Sequence, residues 1–347
     1  MSSPRNGSYS YFSKPEVVAE ISFDQNSTVI PGRTTAKYFN EACLKTGQKY
    51  DLMKGYEKWE PTGLKSKLDM RCNGILYLAK QKDTLKEGLF DADIFISRGL
   101  ATKLAVSCYI DQEIDVIICK HHGVLFMIEF PDDFKEKKGK ESFYCLDMRK
   151  EEYVGQNFET FITTRGDGCD TAGQEKLNSS EQFRVFCKSI VRSGNNDPEK
   201  DIKITYSCET DCIDKNGKYL EIKTSNASKG TNFIYAKALK TWTQCFMNDI
   251  DYIVVGLRNF TTNKIVNVTK INKSKFVPKY KLPTSGVFKN LHGILRKVIE
   301  TFEDNTNCKF VHMTKKKSKE EPIIYEHFKD KFFDFEIFNQ DLLEAFP

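Results

Sequence analysis

Apolar positions recur along the chain at two spacings, and each spacing marks a different kind of element. Residues 113–130 (EIDVIICKHHGVLFMIEF) hold two apolar runs around His121-His122-Gly123, which reads as a hairpin. Residues 148–164 place Val154, Phe158, Phe161 and Ile162 on one helical stripe. Residues 201–212 (DIKITYSCETDC) alternate strictly, and 219–224 (YLEIKT) alternate again. A second helix is expected over 233–247, with Tyr235, Ala238, Leu239, Trp242, Cys245 and Phe246 on one face. Residues 251–259 read as a buried strand, 263–271 as an alternating one and 287–302 as a helix. Strands and helices mixed without a break point to an α+β fold with a mixed β-sheet core flanked by helices. Residues 1–20 are polar and read as a loose tail, leaving one domain over 21–347.

Polar stretches interrupt this pattern at 132–142 and 165–182, both expected as surface loops, and the charge run at 315–321 is expected as a solvated loop. Lys and Arg number 53 against 48 Asp and Glu, a net charge of +5 that permits an anionic partner without demanding one. No run of 18 apolar residues occurs, so no membrane span is expected, and the N-terminal residues lack the apolar core of a secretory signal. The 11 cysteines form no CxxC pair. Cys208 and Cys212 have no histidine near enough in sequence to complete a zinc site. Reduced thiols in an intracellular protein, nuclear or cytosolic, are expected. Neither a dinucleotide-binding fingerprint nor a Walker loop is present.

The chemistry concentrates in the two alternating segments. Lys203, Thr205, Ser207, Glu209 and Asp211 share one face of the first, and Glu221 and Lys223 share one face of the second. Asp214-Lys215-Asn216-Gly217 between them is a turn signal. A two-residue turn would pair residues whose numbers add to 433 and would set the acidic faces apart. A three-residue loop adds to 432, with Gly217 in the left-handed position. Asp211 then opposes Glu221, and Glu209 opposes Lys223. Three crowded carboxylates repel, a divalent cation relieves them, and oxygen ligands suit Mg²⁺ or Mn²⁺. An acid followed by Glu-x-Lys is the arrangement of the PD-(D/E)xK nucleases, whose carboxylates hold metal and whose lysine stabilises developing charge. Glu113, Asp115 and Glu129 form a similar acidic hairpin without the lysine, and that one reads as structural.

The chain resembles the decapping exoribonuclease (DXO) family, a PD-(D/E)xK branch acting on RNA 5′ ends. Ser97-Arg98-Gly99 with Thr102-Lys103-Leu104 resembles the first motif, and Gly155-Gln156-Asn157-Phe158-Glu159 the second. Phe186-Cys187 falls where the family has a cysteine near substrate. Glu209-Thr210-Asp211 resembles the third motif and Glu221-Ile222-Lys223 the fourth. Trp242-Thr243-Gln244, followed by Val255-Gly256-Leu257-Arg258-Asn259, resembles the segment whose glutamine approaches the substrate phosphate. Asp51-Leu52 and Gly55-Tyr56 are similar to an upstream segment. Two positions depart: an arginine of relatives falls at Ser27 or a neighbour, and a glutamate expected shortly after Pro61 has no match.

The resemblance implies that Glu159, Glu209, Asp211, Glu221 and the Ile222 carbonyl bind one or two Mg²⁺ or Mn²⁺ ions. It implies that Arg98, Cys187, Glu209, Lys223 and Gln244 contact substrate. The implied activity is hydrolysis at incompletely capped, NAD-capped or triphosphorylated RNA 5′ ends and 5′→3′ degradation of 5′-monophosphate RNA. A larger 5′→3′ exoribonuclease is an implied partner. The alternatives are an RNA-binding or partner-stabilising relative with little catalysis, and an endonuclease acting on DNA.

Overall fold

Runs of β-branched and aromatic residues build two sheets in the computed structural model, which describes residues 11–45, 50–80, 82–131, 143–165, 181–194, 197–230 and 232–347. The larger sheet contains β1 (Glu16–Phe23), β2 (Val29–Pro31), β4 (Ile94–Ser97), β5 (Ile114–His121), β6 (Val124–Glu129), β8 (Gln182–Val191), β9 (Ile202–Glu209), β14 (Phe310–Lys315) and β15 (Ile324–Phe328). Its spatial order is β15-β14-β5-β6-β4-β9-β8-β1-β2. The smaller sheet contains β3 (Tyr38–Phe39), β7 (Thr163–Thr164), β10 (Cys212–Ile213), β11 (Tyr219–Asn226), β12 (Tyr252–Asn259) and β13 (Lys264–Asn272), in the order β13-β12-β11-β10-β3-β7. Both sheets are mixed: β4 runs parallel to β6 and β9, and β11 parallel to β12.

The principal helices are α1 (Leu64–Ala79), α2 (Leu85–Gly88), α3 (Arg98–Ala105), α4 (Phe143–Ile162), α5 (Tyr235–Met247), α6 (Phe276–Tyr280), α7 (Thr284–Asp304) and α8 (Gln340–Ala345). Among the described residues none is long and apolar enough to cross a membrane. The apolar stripe of α7 (Val287, Leu291, Leu295, Val298) packs with α3, α5 and one face of the large sheet. That core continues into the small sheet through Ile213, Ile253 and Val255. The other face of the large sheet packs against α1 and the segment around Phe333–Leu342. Under the small sheet, Val154, Phe158, Phe161 and Ile162 of α4 meet Leu220, Ile222, Val254 and Ile265.

Gly256 sets how closely α4 can approach that sheet. A β-carbon there would lie 2.4 Å from the Phe158 ring, so only glycine lets Phe158 seat on β12. The expected hairpin at 113–130 forms as β5 and β6, with His121 opposite Val124. His122 (φ 45°) and Gly123 (φ 78°) supply the two left-handed residues of its tight turn.

Three expectations are corrected. The tail does not extend to residue 20: Phe12 is fully buried against Phe288, and β1 starts at Glu16. An aromatic residue amid polar neighbours was enough to anchor the segment. The charge run at 315–321 is not wholly solvated, since Lys315 ends β14, is buried and donates to the Ser318 carbonyl. Most importantly, 201–212 is not one strand. β9 ends at Glu209 between β4 and β8 of the large sheet, and the chain then crosses to the small sheet, where β10 pairs with β11. The loop expected at 132–142, and nearly all of that at 165–182, lies outside the described residues.

Candidate active site

The register argued for the turn holds for the part of the hairpin that exists. Cys212 pairs with Leu220 and Ile213 with Tyr219, pairs whose numbers add to 432, and Gly217 has φ 76°. The Asp214 carboxylate accepts the Asn216 and Lys218 amides at 2.9 and 3.0 Å, fixing the loop. Continuing the register, Asp211 stands across from Glu221, and its Oδ2 accepts the Ile222 amide at 2.7 Å. β11 pairs with β10 only at Tyr219 and Leu220, so beyond that point one edge of β11 is released. Ile222 and Thr224 direct their backbone groups to this released edge.

Glu221 is only 1% exposed. Arg98, 7% exposed at the start of α3, donates to its Oε2 from 3.0 Å. Ser97 caps that helix, its hydroxyl accepting the Leu100 amide at 3.2 Å, and so aims Arg98 from the end of β4. Lys223 donates to the other Glu221 oxygen and to the Ile222 carbonyl, the latter at 3.1 Å, and stands 4.0 Å from Asp211. Burial alone would raise the Glu221 carboxyl, but Arg98 and Lys223 outweigh it and hold the group below the usual carboxylate value. Burial would likewise lower Lys223, yet Glu221 and Asp211 raise it. Asp211 has the opposite balance: burial and the Glu221 charge push it up to about 6, against the pull of Lys223, Arg98 and the Ile222 amide.

Glu159 reaches this group from α4. Burial and then Asp211 drive its carboxyl well above the ordinary value, with Glu209 adding to the push and Lys37 and Lys223 opposing it. The chain crossing at Thr210 separates Glu209 from Lys223. Glu209 instead ends β9 opposite Arg184 on β8, exposed to a cleft of about 510 Å³ that Glu159, Lys37, Arg184 and Gln182 also line. The expected pairing of Glu209 with Lys223 is therefore absent, although Glu209 and Glu159 meet at one cleft. Among the described residues, no three His, Cys, Asp or Glu side chains are gathered tightly enough to hold a metal as they stand. The oxygen donors fit a hard cation in kind, and the elevated Glu159 and Asp211 are the groups whose repulsion such a cation would relieve.

The remaining expected residues fall around this centre. Lys237 of α5 donates to the Thr224 carbonyl at 2.6 Å, which turns the face carrying Lys237 and Gln244 toward β11 rather than to bulk solvent. Gln244 is half-buried two turns along that face. Cys187 is not brought to the cleft: it is fully buried in β8, its thiol donating to Asn248 Oδ1 at 3.7 Å. The acids of the other hairpin have partners of their own, Asp115 with His312 at 2.8 Å and Glu129 with Lys103. Ser27 donates or accepts with the Ser66 hydroxyl at 2.8 Å.

Lys37, Arg184 and the cluster around Tyr219 were missed. Tyr219 donates to Glu20, which also accepts Arg33 Nε at 2.8 Å, while Arg33 Nη1 donates to the Gly217 carbonyl at 3.3 Å. This ties β1 to the turn before Glu221. Lys37 belongs to no motif, and the contacts of Arg33 span 184 residues, so no local signal marks them.

The sequence model of the RAI1 like PD-(D/E)XK nuclease family matches residues 13–329. The decapping nuclease dom-3 of Caenorhabditis elegans is 30% identical over 247 residues, 70% of this chain and 62% of that protein. The human decapping and exoribonuclease protein is 24% identical over 274 residues, 73% of this chain and 65% of that one. These matches span a little under two thirds of the relatives' own length. Rai1 of Scheffersomyces stipitis superposes with a TM-score of 0.72 at 18% identity, covering 96% of this chain and 97% of that one. Rai1 of Candida albicans, crystallised with pU5 and Mn²⁺, gives 0.71 at 18% identity and 95% of each chain. The expected resemblance thus extends well beyond the motifs that suggested it, and the chain belongs to the RAI1 like PD-(D/E)XK nuclease family.

Proposed function

We propose that this protein is a metal-dependent nuclease of RNA 5′ ends. The observation that carries the reading is the convergence of Asp211, Glu221 and Lys223 at the released edge of β11, with Glu159 facing them from α4. Glu159, Glu209, Asp211, Glu221 and the Ile222 carbonyl would hold Mg²⁺ or Mn²⁺. Such an ion supplies Lewis-acid polarisation of a phosphate and makes a nearby water more acidic. The pU5 and Mn²⁺ bound by the Candida albicans relative support both ligand classes.

The chain's own groups divide the remaining work. Arg98 keeps Glu221 ionised in a buried place, so its negative charge is available without reorganisation. The Lys223 ammonium, held between Glu221, Asp211 and the Ile222 carbonyl, stabilises charge that develops on the scissile phosphate. Gln244 donates to a phosphate oxygen from α5. Lys37 and Arg184 attract the RNA backbone into the cleft. The substrates are incompletely capped, NAD-capped or triphosphorylated 5′ ends, followed by 5′→3′ degradation of 5′-monophosphate RNA, in the nucleus or cytosol. The test is a panel of RNAs with monophosphate, triphosphate, NAD, unmethylated-cap and methylated-cap 5′ ends, incubated with the protein and Mn²⁺. Turnover on none of them rejects the reading.

A second reading is RNA binding or support of a larger 5′→3′ exoribonuclease with little catalysis. The engagement of Glu221 by both Arg98 and Lys223 favours it, because each of its oxygens already has a cationic partner. The same panel separates the two: RNA retained without turnover selects the binding protein.

A further inference from the structure

The released edge of β11 carries positive charge past the proposed catalytic centre. Lys223 donates to the Ile222 carbonyl, and one repeat further along Lys237 donates to the Thr224 carbonyl at 2.6 Å. A further repeat on, Asn226 lies beside Arg258 of β12. Arg258 is 1% exposed. Its Nη2 takes both oxygens of Glu151 at 2.8 and 2.9 Å, and its guanidinium lies 4.1 Å from the centre of the Phe260 ring. Its Nε and Nη1 are buried and make no hydrogen bond among the described residues.

Two cations, Lys223 and Lys237, therefore follow the released edge, and Arg258, across the paired edge of β11 on the α4 face of β12, adds its charge to theirs at Lys237. Among the described residues Lys237 makes no ion pair, and Glu151 is the acid that answers Arg258. Burial pushes the Lys237 ammonium down to about 8, with the Lys223 and Arg258 charges adding to the push and Glu151 opposing it. An ammonium placed between two like charges is an unfavourable arrangement unless an anion joins it. The released edge has a defined length. Ile222 to Asn226 is four residues of strand, roughly 13 Å. Glu151 to Glu159 is eight residues of helix, about 12 Å. α4 and β11 thus lie along the same span, from the carboxylates at one end to Arg258 at the other.

We propose that Lys237 and Arg258 form a phosphate subsite adjoining the catalytic centre, which holds the phosphate neighbouring the one that is cleaved. The proposal rests on the reading of that centre as a nuclease of RNA ends. The shared chemistry is a phosphate dianion or diester, supplied either by a 5′ polyphosphate or by the next internucleotide linkage. Lys237 serves as the adjustable point charge. Arg258, stacked on Phe260 and fixed by Glu151, is the fixed charge behind it.

The test uses Lys237→Gln, which keeps a donor for the Thr224 carbonyl and removes only the charge, with Lys237→Arg as the rescue. Binding of inorganic tripolyphosphate to the full chain is measured first, by calorimetry without metal. Lys237→Gln is expected to weaken it by about tenfold or more, the loss of one charge-assisted contact, and Lys237→Arg to restore most of it. Binding of single-stranded RNA is measured next across a salt series, where Lys237→Gln should flatten the slope of log affinity against log salt by about 0.7. A penalty confined to 5′-triphosphate RNA identifies a polyphosphate site. An equal penalty on 5′-hydroxyl RNA identifies the internucleotide phosphate. Wild-type protein that ignores tripolyphosphate, or Lys237→Gln that binds tripolyphosphate and RNA as wild type does, overturns the subsite. Cleavage judges the nuclease reading separately: tripolyphosphate binding through Lys237 without RNA turnover rejects the nuclease and leaves the subsite standing.

Discussion

Glu221 and Arg98, 123 residues apart in sequence, form an ion pair of 3.0 Å in which both side chains are almost fully buried. Removing one member of such a pair leaves an uncompensated charge, which destabilises by about 3–5 kcal/mol. Arg98→Met is therefore expected to lose that amount, measured as a fall in urea midpoint at pH 7. Glu221→Ala should lose a comparable amount because it strands Arg98. Glu221→Gln keeps the volume and one acceptor and should fold with a smaller loss. An Arg98→Met protein with wild-type stability would show that the pair is screened by solvent.

That distinction decides which variants can test catalysis. Glu221→Gln and Lys223→Ala are each expected to lower RNA cleavage by on the order of 10² to 10³, while RNA affinity, spread over many phosphate contacts, changes little. Gln244→Ala should be milder, since a neutral hydrogen bond contributes less than a charged one. Cleavage rates and RNA affinities of the three would be measured side by side. Wild-type rates for Glu221→Gln and Lys223→Ala would move the active site away from this edge of β11.

Much of this centre was legible in the sequence because its geometry is local. The turn of Asp214-Lys215-Asn216-Gly217 dictates its own loop length, and the loop length dictates that Asp211 faces Glu221. The stripe of Val154, Phe158, Phe161 and Ile162 marked the helix, and the structure seats that stripe on the small sheet. What failed depended on events outside the window. Alternation continues unbroken from Ile202 to Cys212, yet the chain changes sheets at Thr210, whose amide is taken by the Phe183 carbonyl at 3.1 Å. Alternation records which side is apolar and says nothing of which sheet a strand joins. Glu209 was therefore set opposite Lys223 when it faces Arg184. Arg98 was read as a contact for substrate, and its buried partner could be found only by closing a long loop. Cys187 sits where a family motif put it and still turns into the core, since β8 buries its alternate side chains there.

Gly256 should act on Glu159 through packing alone. A methyl group at this position meets the Phe158 ring at 2.4 Å, closer than any relaxed contact. α4 must withdraw from β12, and Glu159, the next residue along, moves with it. Gly256→Ala is expected to destabilise by about 1–3 kcal/mol and to weaken Mn²⁺ binding, although residue 256 is no ligand. Phe158→Leu, which opens space for the methyl, should recover part of both in the double variant. A Gly256→Ala protein with unchanged Mn²⁺ affinity would show that α4 does not set the Glu159 position.

The crowded carboxylates give the protein a pH signature that a metal should erase. Asp211 is raised from its ordinary 3.8 to about 6 by burial and by Glu221, with Lys223, Arg98 and the Ile222 amide pulling the other way; Glu159 is raised as well by burial and by Asp211. Between those two values the folded protein binds more protons at Asp211 than the unfolded chain does. The Asp211 contribution to the stability of the metal-free protein then falls as pH rises from about 4 through about 6. Asp211→Asn removes the titrating group and should flatten that fall. Added Mn²⁺ competes with the same protons, so its stabilisation should be small at pH 5 and grow toward pH 7.5. At a concentration 100 times the dissociation constant the gain is about 2.7 kcal/mol, and Asp211→Asn should lose most of it. Thermal melts from pH 4.5 to 7.5, with and without Mn²⁺, read both effects. A Mn²⁺ shift independent of pH and retained in Asp211→Asn would place the ion elsewhere on the molecule. A metal-free profile equally flat in both proteins would mean that Asp211 is ionised freely, and the repulsion that motivates a metal here would be absent.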